Sequence, residues 1–420
     1  MIMVLERIAN KRYLISLLVF IFIVAGSSDL LARKRVVLSG SKSIQSQISV
    51  SDEGTFYVIT ESINLKNTTV RLPQDAILHF EGGCFSNGEL IGNNATIDAG
   101  RYEIFKSISL SGTWALDGIP VEWFGASPNN SNNDCSPAIN LAISVGKRIG
   151  TPVLLGSGIY YTRSTIDIPE TGTIIGLSPS LTSICYNSSC GIGVFMHGQY
   201  TSLRNVCVQE YKMGRKGTCV KLGDSKSKTS CTRGYVEDVK VIGGNRGLDL
   251  DYQWCNKISG VNSRYNNIGL YSYETTPFVE NAIIEGNYRY GVYSEGAGVK
   301  LYGAIIEGNK VGCILNGRDN SLINCYFEGN TASYFSQNPA KDKNGADVEG
   351  GHLYVGEQKS VNSLVMIGCI IGDAKRDNNT IRIDKCLSFS ATGCSSMKTF
   401  ELTRNCTIKY VDSSTYKVVK

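Results

Sequence analysis

Three glutamates that recur at a nearly constant spacing are the first candidates for chemistry in this 420-residue chain. Each begins a Glu-Gly-Asn triplet, at Glu285, Glu307 and Glu328, so the intervals are 22 and 21 residues. Carboxylates stacked on one face would repel one another, which raises the pKa of at least one toward that of a proton donor or lets a cation bind between them. The alternative is turn chemistry, in which glutamate accepts backbone N–H bonds and Gly-Asn forms the corner.

Tyrosines near these glutamates are the second candidate group. An aromatic ring face can stack on a sugar ring, so tyrosines beside carboxylates would form a groove suited to carbohydrate. Packing along the edge of the fold explains the same residues, because it uses the same ring faces. The predicted substrate-binding residues are Tyr271, Tyr273, Tyr288, Tyr290 and Tyr293.

A repeat of about 22 residues must position these side chains. Gly247, Gly269, Gly291 and Gly312 keep intervals of 22, 22 and 21 residues. Apolar residues alternate within each unit, which indicates strands rather than helices, and Gly/Asn turns separate the strands. The pattern predicts an all-β fold, a right-handed single-stranded parallel β-helix with about 22 residues per coil, its hand taken from the crossover rule.

Equivalent positions of successive coils should then form rows. We expect an inward row of Leu248, Leu270, Val292 and Cys313, beside an outward row of Asp249, Tyr271, Tyr293 and Ile314. Asparagine tolerates turn conformations, and its side-chain amide forms hydrogen bonds with stacked asparagines. A stack at the turn is therefore predicted for Asn287, Asn309 and Asn330.

The N-terminus and the composition limit the compartment and the partners. Residues 13–25 are an almost wholly apolar run that follows a basic segment and precedes small residues. This layout is typical of a secretory signal peptide, which we place at residues 1–28, and the run is too short to span a bilayer. We expect a secreted, periplasmic or cell-surface protein without an integral membrane segment after cleavage. The net charge of +5 does not indicate a nucleic-acid partner, and only three histidines are present, so no metal ligands are predicted.

The chain also suggests two domains and a core that contains cysteines. We place an N-terminal β-rich module at 34–120 and the β-helix at 121–420. A capping helix is predicted at about 136–146, because DCSP at 134–137 supplies N-cap candidates and an early proline. Most cysteines are predicted to be buried free thiols, because they lie inside short apolar runs. Cys185 and Cys190 are the most plausible local disulfide pair.

Several segments together resemble the pectate-lyase superfamily of β-helix proteins. Residues 121–126 read VEWFGA, residues 153–160 read VLLGSGIY, and residues 164–176 read STIDIPETGTIIG. The stretch from 54 to 114 is similar to the N-terminal module of secreted members from Bacteroidetes and their phages. The resemblance implies a right-handed parallel β-helix. The superfamily contains lyases, hydrolases, epimerases, tail-spike proteins and proteins that only bind.

Motifs of particular reactions are incomplete. The polygalacturonase-like hydrolases carry GHG, RIK and Asp-Asp motifs, whereas this chain has MHG at 196–198, RID at 382–384 and no Asp-Asp pair. Calcium-dependent lyases of the superfamily use clustered carboxylates and an Arg or Lys base. By that resemblance Asp249 and Arg264 join the glutamates as candidate catalytic residues, with Asp251 and Lys257 able to enter the same cluster. No cofactor is predicted, and calcium is left open for the case that the protein is a lyase.

Two functions stay open at this point. The protein either acts on an acidic polysaccharide, as a lyase or glycoside hydrolase, or is a non-catalytic glycan-binding protein like a tail spike. A polysaccharide is the expected partner in both. The oligomeric state is open, with a trimer among the alternatives. A cluster of unlike carboxylates and bases would favour an enzyme, whereas repeated rows alone would favour a binder.

Overall fold

The structure, a computed structural model, describes residues 33–330, 351–372, 380–396, 400–402, 406–411 and 418–419. The predicted signal peptide at 1–28 lies outside the described residues. The chain forms two compact units, Met1–Leu116 and Asp117–Lys420, and each is described by itself.

The first unit is a parallel sheet built by a chain that returns repeatedly to the same position. Tyr57 pairs with Leu78 and Leu78 with Ile97, and both Tyr57 and Leu78 are fully buried. Sequence analysis described this part only as β-rich, yet it repeats like a solenoid. Its helix α1 is Ile44–Gln47, and its strands are Arg35–Val37, Phe56–Ile59, Ser62–Arg71, Ile77–Phe80, Cys84–Asp98 and Phe105–Trp114.

The second unit is a parallel β-solenoid, which confirms the predicted fold class. Each coil passes through three long sheets in the same order, which we name sheet 1, sheet 2 and sheet 3. One coil runs through Lys257–Ser259, Asn262–Arg264 and Ile268–Ser272, and each strand pairs in parallel with its equivalent in the next coil.

The described strands of each sheet are as follows. Sheet 1 contains Ile119–Pro120, Val153–Leu154, Thr173–Ile175, Ser202–Arg204, Tyr235–Glu237, Lys257–Ser259, Phe278–Glu280, Lys300–Tyr302, Asp319–Ile323, Val361–Ile367, Cys386–Thr392 and Ile408–Val411. Sheet 2 contains Gly158–Thr162, Thr182–Tyr186, Cys207–Glu210, Lys240–Ile242, Asn262–Arg264, Ile283–Glu285, Ile305–Glu307, Tyr326–Glu328, Ile370–Ile371 and Ser395–Ser396. Sheet 3 contains Ile166–Ile168, Ile192–Met196, Thr218–Leu222, Arg246–Leu250, Ile268–Ser272, Tyr290–Ser294, Val311–Leu315, Gly351–Val355, Thr380–Ile383, Phe400–Leu402 and Val418–Val419. A small sheet between sheets 3 and 1 contains Gly198–Gln199, Cys231–Thr232 and Gln253–Trp254.

Apolar side chains in register fill the solenoid. Leu248, Leu270, Val292 and Cys313 are successive partners in sheet 3, and each is at most 1% exposed. Burying an aliphatic side chain of this kind contributes about 1.5–3 kcal/mol, and each coil repeats the contribution. The predicted inward row is confirmed.

Buried asparagines stack where the chain turns from sheet 2 to sheet 3. The amide of Asn287 donates to Oδ1 of Asn309 at 2.8 Å, and the amide of Asn309 donates to Oδ1 of Asn330 at 2.9 Å. The row continues to Asn266 on one side and to His352 on the other, where Asn330 Nδ2 lies 3.1 Å from His352 Nδ1. The predicted asparagine stack is confirmed and is longer than the sequence suggested.

Glycine meets two separate requirements beside this stack. Gly286 has a φ of 61° and forms the corner, as the sequence suggested. Gly269 instead lies within a strand of sheet 3, where a Cβ would be 2.7 Å from both the Gly291 carbonyl oxygen and the Asn287 amide nitrogen. The regular glycines of sheet 3 therefore make room for the asparagines.

Helix α2, Ser136–Ile149, is the predicted capping helix and extends three residues beyond its predicted end. It ends at Gly150, which adopts a left-handed φ of 72°. The Asn140 amide donates to the Thr165 carbonyl oxygen, and Asn140 Oδ1 accepts from the Asp167 backbone N–H, both at 3.0 Å. The helix thereby satisfies the outer edge of Ile166–Ile168, the terminal strand of sheet 3.

The cysteines are free thiols, and most of them are buried. Cys207, Cys313, Cys325 and Cys369 lie in the core, as predicted from their apolar runs. Cys185 and Cys190 are not joined to each other. Burial raises the pKa of Cys185 to about 11, so its thiol is protonated at neutral pH.

Candidate functional site

The three repeated glutamates form one row on the outer side of sheet 2. Glu285 pairs with Glu307 and Glu307 with Glu328, so their backbones are about 4.8 Å apart along the row. Arg264 occupies the same position in the preceding coil and forms an ion pair with Glu285. Tyr326 donates a hydrogen bond of 2.8 Å to Glu328. Glu307 is therefore the exposed carboxylate between two carboxylates that already have partners.

Asp249 lies on sheet 3, in a cluster of unlike charges that we call the ion-pair cluster. Arg246 Nη1 is 2.7 Å from Asp249 Oδ2, and Lys221 Nζ is 2.6 Å from Asp224 and 3.4 Å from Asp251. Burial raises the pKa of Asp249, which is 2% exposed, although Arg246 acts in the opposite direction. The hydrogen bond from Lys221 lowers the pKa of Asp224 to about 2.

The structure separates residues that were predicted to share one cluster. Asp249 and Asp251 share the ion-pair cluster, whereas Arg264 pairs with Glu285 on sheet 2 and Lys257 with Glu237 on sheet 1. The asparagine corner lies between sheets 2 and 3, so residues that are close in sequence on either side of it lie on different faces. Among the described residues, no group of three or more His, Cys, Asp or Glu side chains is arranged to hold a metal ion.

The five predicted substrate-binding tyrosines also divide. Tyr271 and Tyr293 stack with ring centroids 6.0 Å apart, in the same row as Asp249, and Tyr273 stacks beside Tyr271 at 6.3 Å. The guanidinium of Arg246 lies 3.5 Å from the centroid of the Tyr271 ring, so it covers one ring face.

The other two tyrosines have different surroundings. Tyr290 is 6% exposed and packs with Val311 and Ile314, and the Tyr288 ring lies under Arg215 at 4.0 Å. The single aromatic and acidic groove suggested by the sequence is therefore absent from the described residues. Tyr271, Tyr290 and Tyr293 belong to strands of sheet 3, whereas the three repeated glutamates lie on sheet 2.

Sheet 1, with the edge of the small sheet beside it, presents an aromatic and basic surface that sequence analysis missed. We call it the sheet 1 face. Its aromatic side chains, between 37% and 50% exposed, are Tyr200, Tyr235, Trp254, Phe278 and Tyr302. Its charged side chains are Arg204, Arg233, Lys257, Lys300, Glu237 and Glu280. Tyr235 and Lys257 are one coil apart and pair in register, so the repeat itself could have revealed this surface.

Two of the bases on the sheet 1 face are held by one acid. Glu237 binds both Lys257, at 2.7 Å, and Arg204, at 3.2 Å. The hydrogen bond from Lys257 lowers the pKa of Glu237, so this carboxylate is charged at neutral pH. Within the described part of the chain, Lys300 has no carboxylate at ion-pair distance. The surface thus combines exposed rings with basic side chains, of which Lys300 has no carboxylate partner among the described residues.

Comparison with known proteins gives similarity in structure only. No family model matches the sequence, and no curated protein matches it. Similar solved structures include ORF18 of Geobacillus virus E2, with 17% identity and a TM-score of 0.41 over 72% of this chain and 59% of that one. The gp42 tailspike of Acinetobacter phage vb_AbaP_AS12 has 10% identity and a TM-score of 0.43 over 71% and 63%. The A-module of Azotobacter vinelandii mannuronan C-5 epimerase AlgE6 has 13% identity and a TM-score of 0.33 over 71% and 91%.

The chain spans about three fifths of the length of the two phage proteins. Membership of the pectate-lyase superfamily stays a prediction. No helix among the described residues is long and apolar enough to cross a membrane.

Proposed function

We propose that this protein binds an acidic polysaccharide along the sheet 1 face. The observation that carries the proposal is the combination of exposed aromatic rings with basic side chains, repeated in register along the solenoid. Aromatic faces stack on the C–H faces of sugars, and Arg or Lys pairs with sugar carboxylates. A row that repeats along an axis suits a polymer whose units also repeat. Export stays a prediction, and the oligomeric state stays open.

Charge selects an acidic chain over a neutral one. Arg204 and Lys257 share Glu237, while Lys300 has no such partner among the described residues. A polymer carboxylate can therefore approach Lys300 without displacing a protein carboxylate. These contacts are at the surface, so binding should weaken as salt shortens the screening length.

Affinity for polygalacturonate, with dextran as the uncharged comparison, tests the proposal. Tyr302→Ala removes an exposed ring and should weaken binding about tenfold, equivalent to about 1.4 kcal/mol. Lys300→Ala should weaken binding at low salt and lose its effect at high salt. The matched control is Tyr265→Ala, because Tyr265 is as exposed as Tyr302 but lies outside sheet 1. Equal binding of dextran, or equal losses in Tyr302→Ala and Tyr265→Ala, would contradict the proposal.

Cleavage of the glycan is a second candidate function, and the raised pKa of Asp249 favours it. A raised pKa brings a carboxyl closer to the protonated form that a general acid needs. Because Asp249 is buried and bonded to Arg246, a substrate reaches it only if the surrounding side chains move. Glu307 is the alternative acid, since it is exposed and lies between Glu285 and Glu328.

Product analysis on the same polysaccharides tests this second function. Unsaturated products, followed by their ultraviolet absorbance, indicate a lyase, and reducing ends alone indicate a hydrolase. Loss of activity in Asp249→Asn but not in Glu307→Gln would assign the acid to the ion-pair cluster. Loss of activity in a chelator would indicate calcium. Binding without either product would leave the protein a glycan-binding protein.

A further inference from the structure

A cleft of about 270 Å³ lies on the outer side of the first two coils of sheet 2. It is remote in sequence from the carboxylate row and belongs to a different sheet from the sheet 1 face. Tyr161 and Cys185, which pair in register in sheet 2, form part of its wall. The polar and aromatic side chains in its lining include Asn132, Tyr161, Thr162, Arg163, Asn187 and Tyr211.

Arg163 supplies the charge of this cleft. Its backbone N–H donates to Asp134 Oδ1 and to Ser136 Oγ, both at 3.0 Å, so the start of α2 fixes its position. Its guanidinium donates only to the Asn132 carbonyl oxygen, at 3.3 Å, among the described contacts. No carboxylate in the described part of the chain lies at ion-pair distance from Arg163. Most of the guanidinium N–H groups therefore have no hydrogen-bond partner in the described part of the chain, while the charge of Arg163 also acts on the nearby Asp134 carboxylate.

The rest of the lining offers hydroxyl, amide and ring surfaces. Thr162 is 1% exposed, and its Oγ1 has no hydrogen-bond partner among the described residues. The rings of Tyr161 and Tyr211 meet edge to face at 6.2 Å and form an angular wall. Lys212 lies over the Tyr211 ring at 5.3 Å and adds positive charge nearby.

We propose that this cleft binds one carboxylated sugar residue, a hexuronate. Arg163 pairs with the carboxylate through its fork, because guanidinium and carboxylate match in bidentate geometry. The Asn187 amide bonds the ring hydroxyls, and the tyrosine wall contacts the C–H face. The volume holds one sugar residue rather than an extended chain. The inference concerns a different surface from the sheet 1 face and goes beyond the proposed function.

Calorimetric titration of the full chain with D-glucuronate, and with D-glucose as the neutral comparison, tests the inference. The wild-type protein should bind glucuronate at least tenfold more tightly than glucose. Arg163→Gln should abolish this preference, and Arg163→Lys should restore only part of it, because lysine lacks the fork. Arg163 is exposed, so all variants should keep the wild-type circular dichroism spectrum.

Arg233→Gln is the matched control, because Arg233 is also an exposed arginine but lies on the sheet 1 face. It should leave glucuronate binding unchanged and weaken polygalacturonate binding. An unchanged glucuronate affinity in Arg163→Gln, or equal binding of glucose, would overturn the cleft assignment while leaving the sheet 1 proposal standing. A trisaccharide with a terminal uronate distinguishes two sources of the ligand. Tighter binding of the trisaccharide indicates a polysaccharide end, and equal binding indicates a free monosaccharide.

Discussion

Replacing Asn309 by alanine should destabilise the solenoid more than any exposed substitution. The Asn309 side chain is fully buried and makes four hydrogen bonds. Its Oδ1 accepts from the backbone N–H and the side-chain amide of Asn287, at 3.0 and 2.8 Å. Its Nδ2 donates to the Ile284 carbonyl oxygen and to Asn330 Oδ1, each at 2.9 Å.

The expected loss of stability depends on which hydrogen bonds the neighbours of Asn309 keep in the variant. Asn330 Oδ1 still accepts from the Asn309 backbone N–H, and the Asn287 amide still donates to the Ser263 carbonyl oxygen. The Asn287 backbone N–H loses Asn309 Oδ1, which is its hydrogen-bond partner among the described residues. One stranded buried donor costs about 1–3 kcal/mol and each of the other three lost bonds about 0.5–1.5 kcal/mol, which together give about 2.5–7.5 kcal/mol in the free energy of unfolding.

Urea unfolding and amide hydrogen exchange measure this loss. Unfolding midpoints compared at equal m-value give the change in stability, and exchange should accelerate most in the coils that contain residues 287–309. Asn262→Ala is the matched control, because the half-buried side chain of Asn262 lies on sheet 2, outside the asparagine row. It should change stability by less than about 0.5 kcal/mol. A loss below about 1 kcal/mol in Asn309→Ala, or equal losses in both variants, would refute this account of the row.

Three further predictions concern charge, thiols and glycine. Asp224→Asn should be less stable than the wild type at pH 6. Because Lys221 lowers the pKa of Asp224 in the folded protein to about 2, the stability that the Asp224 carboxylate contributes should be lost between about pH 4 and pH 2. Urea unfolding midpoints measured across this pH range check the prediction. A difference in stability between Asp224→Asn and the wild type that persists below pH 2 would contradict it. At pH 8 a thiol reagent should label the exposed Cys255 first and Cys185 only after unfolding, which mass spectrometry of labelled peptides can check. Gly291→Ala should lower the free energy of unfolding by about 1–3 kcal/mol, because the new Cβ would lie 2.6 Å from the Gly312 carbonyl oxygen. Thermal or urea unfolding measures the loss, and an unchanged midpoint would argue against close packing at Gly291.

The repeat made the solenoid predictable, because a constant period and strand alternation are local properties of the chain. It also predicted which residues share a row, such as Leu248 with Leu270 and Glu285 with Glu307. It did not reveal the coils of the first unit, where the spacing between paired positions is less regular and no recurring triplet marks the turn.

The candidate site was less predictable than the fold. Glu285 and Tyr290 are close neighbours in sequence, but the turn at Asn287 places them on different sheets. Arg163 and Tyr211 are far apart in sequence, yet they line one cleft. A repeat identifies equivalent positions in successive coils but does not predict which loops lie over them.

By itself the sequence determined the fold class, the coil length, the asparagine stack and the glutamate row, because each depends on spacing along one chain. Only the tertiary structure decided which face each row occupies, and it divided the expected groove between sheets 2 and 3. It also brought together the aromatic and basic sheet 1 face and the Arg163 cleft. Both depend on contacts between coils and loops whose geometry no local pattern encodes, and they carry the functional proposals for this protein.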